Sequence, residues 1–157
     1  SDLATKEDVD YLWKNLKHIN CICTDHAPHT KNEKELADPP YGLPGLETIL
    51  PLMMTAVKQG RLSLDDLVRL TNVNPQKIFN FKQNNDTYVE IETEQKYKID
   101  NSKLITKCGW SPFNGWEVYG KVKSVYIRGA LVYRDGKILV KPGFGKIVSF
   151  SLRNEVT

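Results

Sequence analysis

The most constraining feature of the sequence is a short, mostly apolar run at residues 19–23 that ends directly in polar residues. Before it, apolar residues recur at helical spacing from Val9 to Leu16, after Thr5, which we predict to be the N-cap. Such runs form buried strands of parallel sheets, and α/β proteins place their sites where these strands end. The sequence therefore predicts an α/β fold with a site just after residue 23.

Three further helices are predicted before the middle of the chain. One begins at Gly45 and is ended by Gly60, because a glycine readily takes the left-handed position after a helix. Ser63 is predicted to cap the next helix, through Leu70, and Asn74 to cap a short one with proline in its first turn.

The second half of the chain has a different character. A polar break at residues 83–86 is followed by alternating patterns that predict strands over 87–91 and 122–127. Asp135-Gly136 between two apolar runs is a strong hairpin signal. The second half is therefore predicted to be all-β.

Composition excludes several classes of protein. The net charge of +3 is mild and its cations are spread, which argues against nucleic-acid binding. The longest apolar stretch, residues 46–57, is too short and too polar to span a bilayer. Three cysteines without a C-x-x-C pair fit a reducing, cytoplasmic setting. Because the chain begins without methionine in a helix lead-in, we expect it to be a segment of something longer.

Asp25, His26 and His29 follow the predicted strand and offer two interpretations. A carboxylate at a strand end could bind a metal ion and act as a general acid–base, or it could cap the following turn. Pro28 argues against a helix through both histidines, so they need not face the same way. One could bind an anionic substrate, or both could be surface residues of a polar loop.

The ligand count limits what this chain can do alone. A catalytic zinc ion usually takes three protein ligands, and the chain contains only 3 histidines, so a two-metal centre is not expected. No nucleophile elbow or phosphate-binding glycine pattern is present either. The glycines of residues 41–45 could offer backbone N–H groups to a carboxylate, or form a plain turn.

Two motifs together resemble a known family. The stretch TDHAPHT at residues 24–30, followed by PYGLPGLET at residues 40–48, resembles the C-terminal part of dihydroorotase, a metal-dependent (β/α)8 barrel of the amidohydrolase superfamily. The likeness continues through residues 60–67 and 110–113 and covers nearly the whole chain. Within the family, it is strongest to the dihydroorotase domain of animal-type multifunctional proteins that also carry carbamoyl-phosphate synthetase and aspartate transcarbamoylase.

The resemblance implies an activity and residue roles. The family reversibly cyclises N-carbamoyl-L-aspartate to L-dihydroorotate in pyrimidine synthesis, using two zinc ions. By position, Asp25 falls on the residue that ligates zinc and shuttles the proton, and His29 on a residue that binds the substrate carboxylate. The backbone of Tyr41 and Gly42 falls on further substrate contacts, and His26 receives no direct role.

The family's other metal ligands and its substrate-binding arginine are absent from this chain. We therefore expect residues 1–82 to be the last barrel strand with its flanking helices, residues 83–157 to be the β-module after the barrel, and the segment alone to be inactive. A homo-oligomer in the cytoplasm is expected, without nucleic acid or membrane as partner. The alternatives are a non-catalytic dihydroorotase-like scaffold or another cyclic-amide hydrolase, such as a hydantoinase or allantoinase.

Overall fold

The structure is a computed structural model that describes residues 4–148. Helices occupy the first half and strands the second. The helices are α1 (Lys6–Lys14), α2 (Lys31–Lys34), α3 (Ile49–Lys58), α4 (Leu64–Val68) and α5 (Asn74–Ile78). The strands are β1 (Tyr88–Glu92), β2 (Tyr97–Lys98), β3 (Glu117–Val118), β4 (Lys121–Ile127), β5 (Ala130–Arg134) and β6 (Lys137–Ile138). No helix within residues 4–148 is long and apolar enough to cross a membrane.

Two predicted helix starts are confirmed by their caps. The Thr5 hydroxyl accepts from the Asp8 backbone N–H, and the Asp8 carboxylate accepts from the Thr5 backbone N–H, which together form a capping box. The Ser63 hydroxyl likewise accepts from the Asp66 backbone N–H at the start of α4. Each bond satisfies a backbone donor that the first helical turn leaves without a partner.

The predicted cap at Asn74 is wrong. The α4 helix passes through a π-helical turn, Arg69–Val73, straight into α5, so that Asn74 already has helical geometry. Its side-chain amide instead donates to the Asn20 carbonyl at 2.7 Å. A neighbouring bond, from the Ile22 N–H to the Leu70 carbonyl at 3.1 Å, fixes the same segment against the π turn.

The run at residues 19–23, predicted as a strand, forms no ladder within the described residues. A barrel strand bonds to a neighbour on each edge, and no such neighbour is present within residues 4–148. The run nevertheless contributes to the core, because Ile19 and Ile22 pack against it, as expected of an apolar run. That core is formed by buried residues of α3, α4 and the turns around them: Met54, Ala56, Leu62, Leu67 and Leu70.

The β-rich half forms two antiparallel sheets, as the alternating pattern predicted. The larger has the order β1-β4-β5-β6, and the smaller pairs β2 with β3. Asp135 and Gly136 both have positive φ (46° and 85°) in the β5–β6 hairpin, as expected for an Asp-Gly turn.

The β-rich half also packs directly on α3. Gly120 lies so close to this helix that a Cβ atom would stand 2.5 Å from the Cβ atom of Met54. The Tyr119 backbone N–H donates to the Thr55 hydroxyl at 2.9 Å, and Lys58 forms an ion pair with Glu94 at 2.7 Å. These contacts join the two halves at α3. This helix follows the two stretches that we name the first motif loop (residues 24–30) and the second motif loop (residues 40–48).

Candidate active-site wall

The carboxylate of Asp25 is free for chemistry within the described part of the chain. Asp25 lies at the end of the extended segment, is exposed, and has a φ of 44° in the left-handed region. Aspartate tolerates this region better than most residues, and such conformations cluster at functional sites. No hydrogen bond or ion pair to its carboxylate occurs within residues 4–148, so it does not cap the turn that follows.

His26 is held by the backbone of the second motif loop. Its Nδ1 accepts hydrogen bonds from the N–H groups of Gly45, at 3.0 Å, and Leu46, at 3.3 Å. An acceptor Nδ1 carries no proton, so the neutral ring has its proton on Nε2. The imidazole therefore joins the two motif loops, which is a structural role.

The two motif loops approach each other too closely for any side chain at Gly42. A parallel bridge pairs His26 with Leu43, and the Ala27 N–H donates to the Leu43 carbonyl at 3.2 Å. A Cβ atom on Gly42 would lie 2.5 Å from the Ala27 Cβ atom, and the φ of Gly42 is 111°. Glycine is therefore required at this position both for its backbone conformation and for the close contact.

His29 lies at the end of the first motif loop, where α2 begins. Thr30, the next residue, caps α2 in a capping box with Glu33. The Thr30 hydroxyl, followed by its backbone N–H, lowers the pKa of the Glu33 carboxyl, and the nearby His29 adds a smaller effect in the same direction. On the other side, the indole Nε1–H of Trp110 donates to the His29 carbonyl at 2.7 Å.

Lys34 fixes the proline-rich loop from α2. Its ammonium donates to the carbonyl of Pro40 at 2.6 Å and to that of Gly42 at 3.2 Å. Tyr41 lies between these two residues, and its side chain is 83% exposed. The loop that carries Tyr41 and Gly42 is thus bound to the first motif loop on one side and to α2 on the other.

Three residues of this region were missed by the sequence reasoning: Lys34, Glu47 and Trp110. The carboxylate of Glu47 accepts the N–H groups of Ile105, at 2.9 Å, and Thr106, at 2.6 Å. The bonds of Lys34 span six and eight residues, whereas those of Glu47 and Trp110 span 58 to 81 residues, which no local pattern reports. The only signal was that Glu47 and Trp110 lie in stretches that resemble dihydroorotase.

The donor set does not fit a complete metal centre. Within residues 4–148, no three His, Cys, Asp or Glu side chains lie close enough together to hold one ion. His26 already uses Nδ1 to accept backbone N–H groups. Of the residues singled out from the sequence, Asp25 offers a free carboxylate, so the described part of the chain brings one such ligand to this region and no cluster of three.

The space enclosed behind the loops is too small for a substrate. A cavity of about 10 Å³, room for about one water molecule, is lined by His26, Gly45, Thr48 and Trp110 among others. The open side of the loops, where Asp25 and Tyr41 are exposed, is the side that could receive a substrate.

No family model matches the chain. It is 51% identical over 146 residues to the multifunctional protein CAD of Squalus acanthias, covering 93% of this chain and 6% of that protein. It is 42% identical over 154 residues to the dihydroorotase of Pyrococcus furiosus, covering 93% of this chain and 36% of that enzyme.

Among solved structures, the L-hydantoinase of Arthrobacter aurescens is similar, with a TM-score of 0.84 and 32% identity over 92% of this chain and 36% of that one. The inactive dihydroorotase-like domain of the Chaetomium thermophilum CAD-like protein has a TM-score of 0.70 and 30% identity over 89% of this chain and 39% of that one.

These similarities confirm both the resemblance and the fold class. The neighbours are amidohydrolases built on (β/α)8 barrels, and the chain corresponds to part of such a barrel together with β-structure. The chain spans only about a third of the length of the archaeal dihydroorotases that it matches, and 6% of the multifunctional proteins. The sequence similarities place the chain in the dihydroorotase family.

Proposed function

We propose that this chain forms one wall of a dihydroorotase active site in a longer polypeptide, the full-length protein, which supplies the other barrel strands. The reaction is the reversible cyclisation of N-carbamoyl-L-aspartate to L-dihydroorotate. The observation that carries the proposal is the free carboxylate of Asp25, held at the end of the extended segment next to a rigid pair of motif loops.

Asp25 is the proposed acid–base residue. In the hydrolytic direction, the ring amide C–N bond breaks, the carbonyl carbon gains the hydroxyl group of water, and the leaving nitrogen gains its proton. Asp25 would receive that proton on its carboxylate and pass it to the nitrogen, which requires a carboxylate without a competing partner in the chain.

The substrate contacts are proposed for the neighbouring loops. His29 would bind the substrate carboxylate through its ring, and the backbone of Tyr41 and Gly42 would supply further polar contacts. The hydrogen bonds that fix both loops leave open the side where Asp25 and Tyr41 are exposed, which supports a binding role. Prior fixing of the loops lowers the entropy lost when substrate binds.

Proteins of this family are metal-dependent, and zinc is the proposed metal, bound by Asp25 with ligands from the rest of the full-length protein. Purified alone, the 157-residue chain is expected to hold less than stoichiometric zinc and to show no turnover. Zinc analysis and a dihydroorotate hydrolysis assay check both expectations. Stoichiometric zinc with turnover from this chain alone would contradict the ligand count.

The wider setting is proposed from the same relatives. We expect carbamoyl-phosphate synthetase and aspartate transcarbamoylase domains in the same polypeptide, a homo-oligomeric assembly and a cytoplasmic location. We also propose that the boundary between barrel and β-module lies at residues 82–83, which is supported by the fact that all six strands within residues 4–148 follow it.

The decisive experiment is Asp25→Asn in the full-length protein. Turnover is expected to fall by about a thousandfold or more, because an amide cannot accept the proton, while thermal unfolding stays within a few degrees of the wild type. Because Asp25 makes no bond within the described chain, its amide variant has no packing reason to unfold. A near-normal kcat would refute the proton-transfer role.

Turnover assays on the wild-type full-length protein separate two other functions. The inactive dihydroorotase-like neighbour favours a non-catalytic scaffold as the second candidate, and the hydantoinase neighbour favours a related cyclic-amide hydrolase. A wild-type full-length protein that turns over none of dihydroorotate, hydantoin and allantoin would be a scaffold. One that turns over hydantoin or allantoin but not dihydroorotate would be the related hydrolase.

A further inference from the structure

Trp110 reaches the candidate site from the opposite half of the chain. Its indole Nε1–H donates to the His29 carbonyl at 2.7 Å across 81 residues of sequence. The indole is half-buried and lines the small cavity behind the motif loops, together with His26 and Thr48. The contact therefore holds the backbone of a proposed substrate-binding residue from the other half of the chain.

Trp110 belongs to a segment that is itself anchored at both ends. This segment, residues 104–111, is named the strap. Near its start, the N–H groups of Ile105 and Thr106 donate to the Glu47 carboxylate at 2.9 and 2.6 Å. At its end, the Ser111 N–H donates to the Asn101 side-chain oxygen at 2.9 Å.

The strap is also braced within itself. The Thr106 hydroxyl and the Cys108 thiol lie 3.3 Å apart, and the thiol donates to the Trp110 carbonyl at 3.7 Å. Glu47 directly follows Leu46, whose N–H donates to the His26 imidazole. The strap thus bonds to both motif loops, to the second through Glu47 and to the first through Trp110.

We propose that Trp110 is a positioning residue for His29, and that the strap sets how well the site holds the substrate carboxylate. This inference rests on the proposed substrate-binding role of His29. In this role the indole acts through the His29 backbone and not by contact with substrate. Its N–H fixes the peptide between His29 and Thr30, and so the point from which the imidazole extends. Because the next residue, Thr30, is the N-cap of α2, the bond also holds the chain where that helix starts.

The first test is hydrogen exchange by mass spectrometry on the full-length protein, with Trp110→Phe against Trp116→Phe. Trp116 is 56% exposed and makes its ring contact with Phe113, so its variant is a matched loss of indole without loss of the bond. Trp110→Phe is expected to speed amide exchange in residues 26–31 about fivefold or more, the worth of one hydrogen bond. Unchanged exchange there would overturn the proposal.

The second test is kinetic. Trp110→Phe is expected to raise KM for dihydroorotate about five- to tenfold and to leave kcat within about threefold, because binding is weakened and the proton transfer at Asp25 is not. In a His29→Ala background the same change should raise KM no further, since both act on one contact. An equal rise of KM in both backgrounds would overturn the proposal.

A second variant covers loss of fold. If Trp110→Phe speeds exchange throughout the protein, Glu47→Ala is the deciding variant. It removes the bonds from the N–H groups of Ile105 and Thr106 and leaves the indole in place. Faster exchange in residues 26–31 as well as in the strap supports the proposal, and a change confined to the strap refutes it. If the wild type turns over no dihydroorotate, the proposed function fails, but the exchange result still decides the positioning role.

Discussion

Replacing Gly42 with alanine is a sharp test of how the motif loops are held together. The new Cβ atom would stand 2.5 Å from the Ala27 Cβ atom and 2.7 Å from the Ala27 carbonyl oxygen. Overpacking of this kind costs about 1–3 kcal/mol, and a non-glycine residue at a φ of 111° costs about 1–3 kcal/mol more.

The loop can avoid the collision only by moving away. It would then lose the bond from Ala27 to Leu43 and the two bonds to the His26 imidazole, at about 1 kcal/mol each. The loop will either tolerate the collision or move away, whichever costs less free energy, so we expect about 2–3 kcal/mol of local destabilisation. That free energy corresponds to an increase of about 30- to 150-fold in local opening.

Hydrogen exchange on the full-length protein measures this opening directly. Peptides covering residues 26–28 and 43–46 should exchange faster in Gly42→Ala, with little change in the sheet of β1, β4, β5 and β6. Gly136→Ala is the matched control, because its φ of 85° is also positive but no atom lies within 4 Å of its added Cβ. The reasoning is refuted if Gly42→Ala speeds exchange in these peptides less than threefold, or no more than the control does.

Three further predictions concern His29, the close contact of Gly120 with α3, and the capping of α2 by Glu33. His29→Ala should raise KM for dihydroorotate about tenfold or more by removing a polar contact to a charged group, and an unchanged KM in steady-state kinetics would eliminate that role. Gly120→Ala should lower the free energy of unfolding by about 2–4 kcal/mol in urea, because its φ is 84° and its Cβ would strike α3; Gly115→Ala, with open space at a φ of 83°, should cost less. Since the pKa of Glu33 is lowered in the fold from its usual 4.5, its capping contribution is present above pH 4.5 and is lost as pH falls through the lowered value. NMR of the Thr30 amide should report this loss, and a Glu33→Gln variant that kept the same pH dependence would contradict it.

Local sequence signals predicted the local structure well. The caps at Thr5 and Ser63 involve residues three apart, and the Asp135-Gly136 turn lies within one hairpin, so neighbouring residue types contain the needed information. The motifs at residues 24–30 and 40–48 together identified the family, because they are specific stretches of sequence and need no knowledge of the packing.

The predictions from sequence failed where the structure depends on long-range contacts. Asn74 looks like a cap, but a π turn in front of it and a bond to Asn20 give it another role. The run at residues 19–23 has the composition of a buried strand, but strand pairing depends on neighbours that composition cannot supply. The roles of the Trp110 indole and Glu47 carboxylate arise only once the two halves pack together.

The bond between Trp110 and His29 also orders events during protein synthesis. The tryptophan is translated 81 residues after the histidine that it holds. At roughly 5–20 residues per second, the motif loop exists for about 4–16 s before its holder is made. During that interval the His26 imidazole can already bond to the second motif loop, but the Trp110 indole is not yet there to bond to the His29 carbonyl. A ribosome that pauses before the strap would therefore carry a nascent chain in which the proposed substrate-binding loop lacks its bond to Trp110.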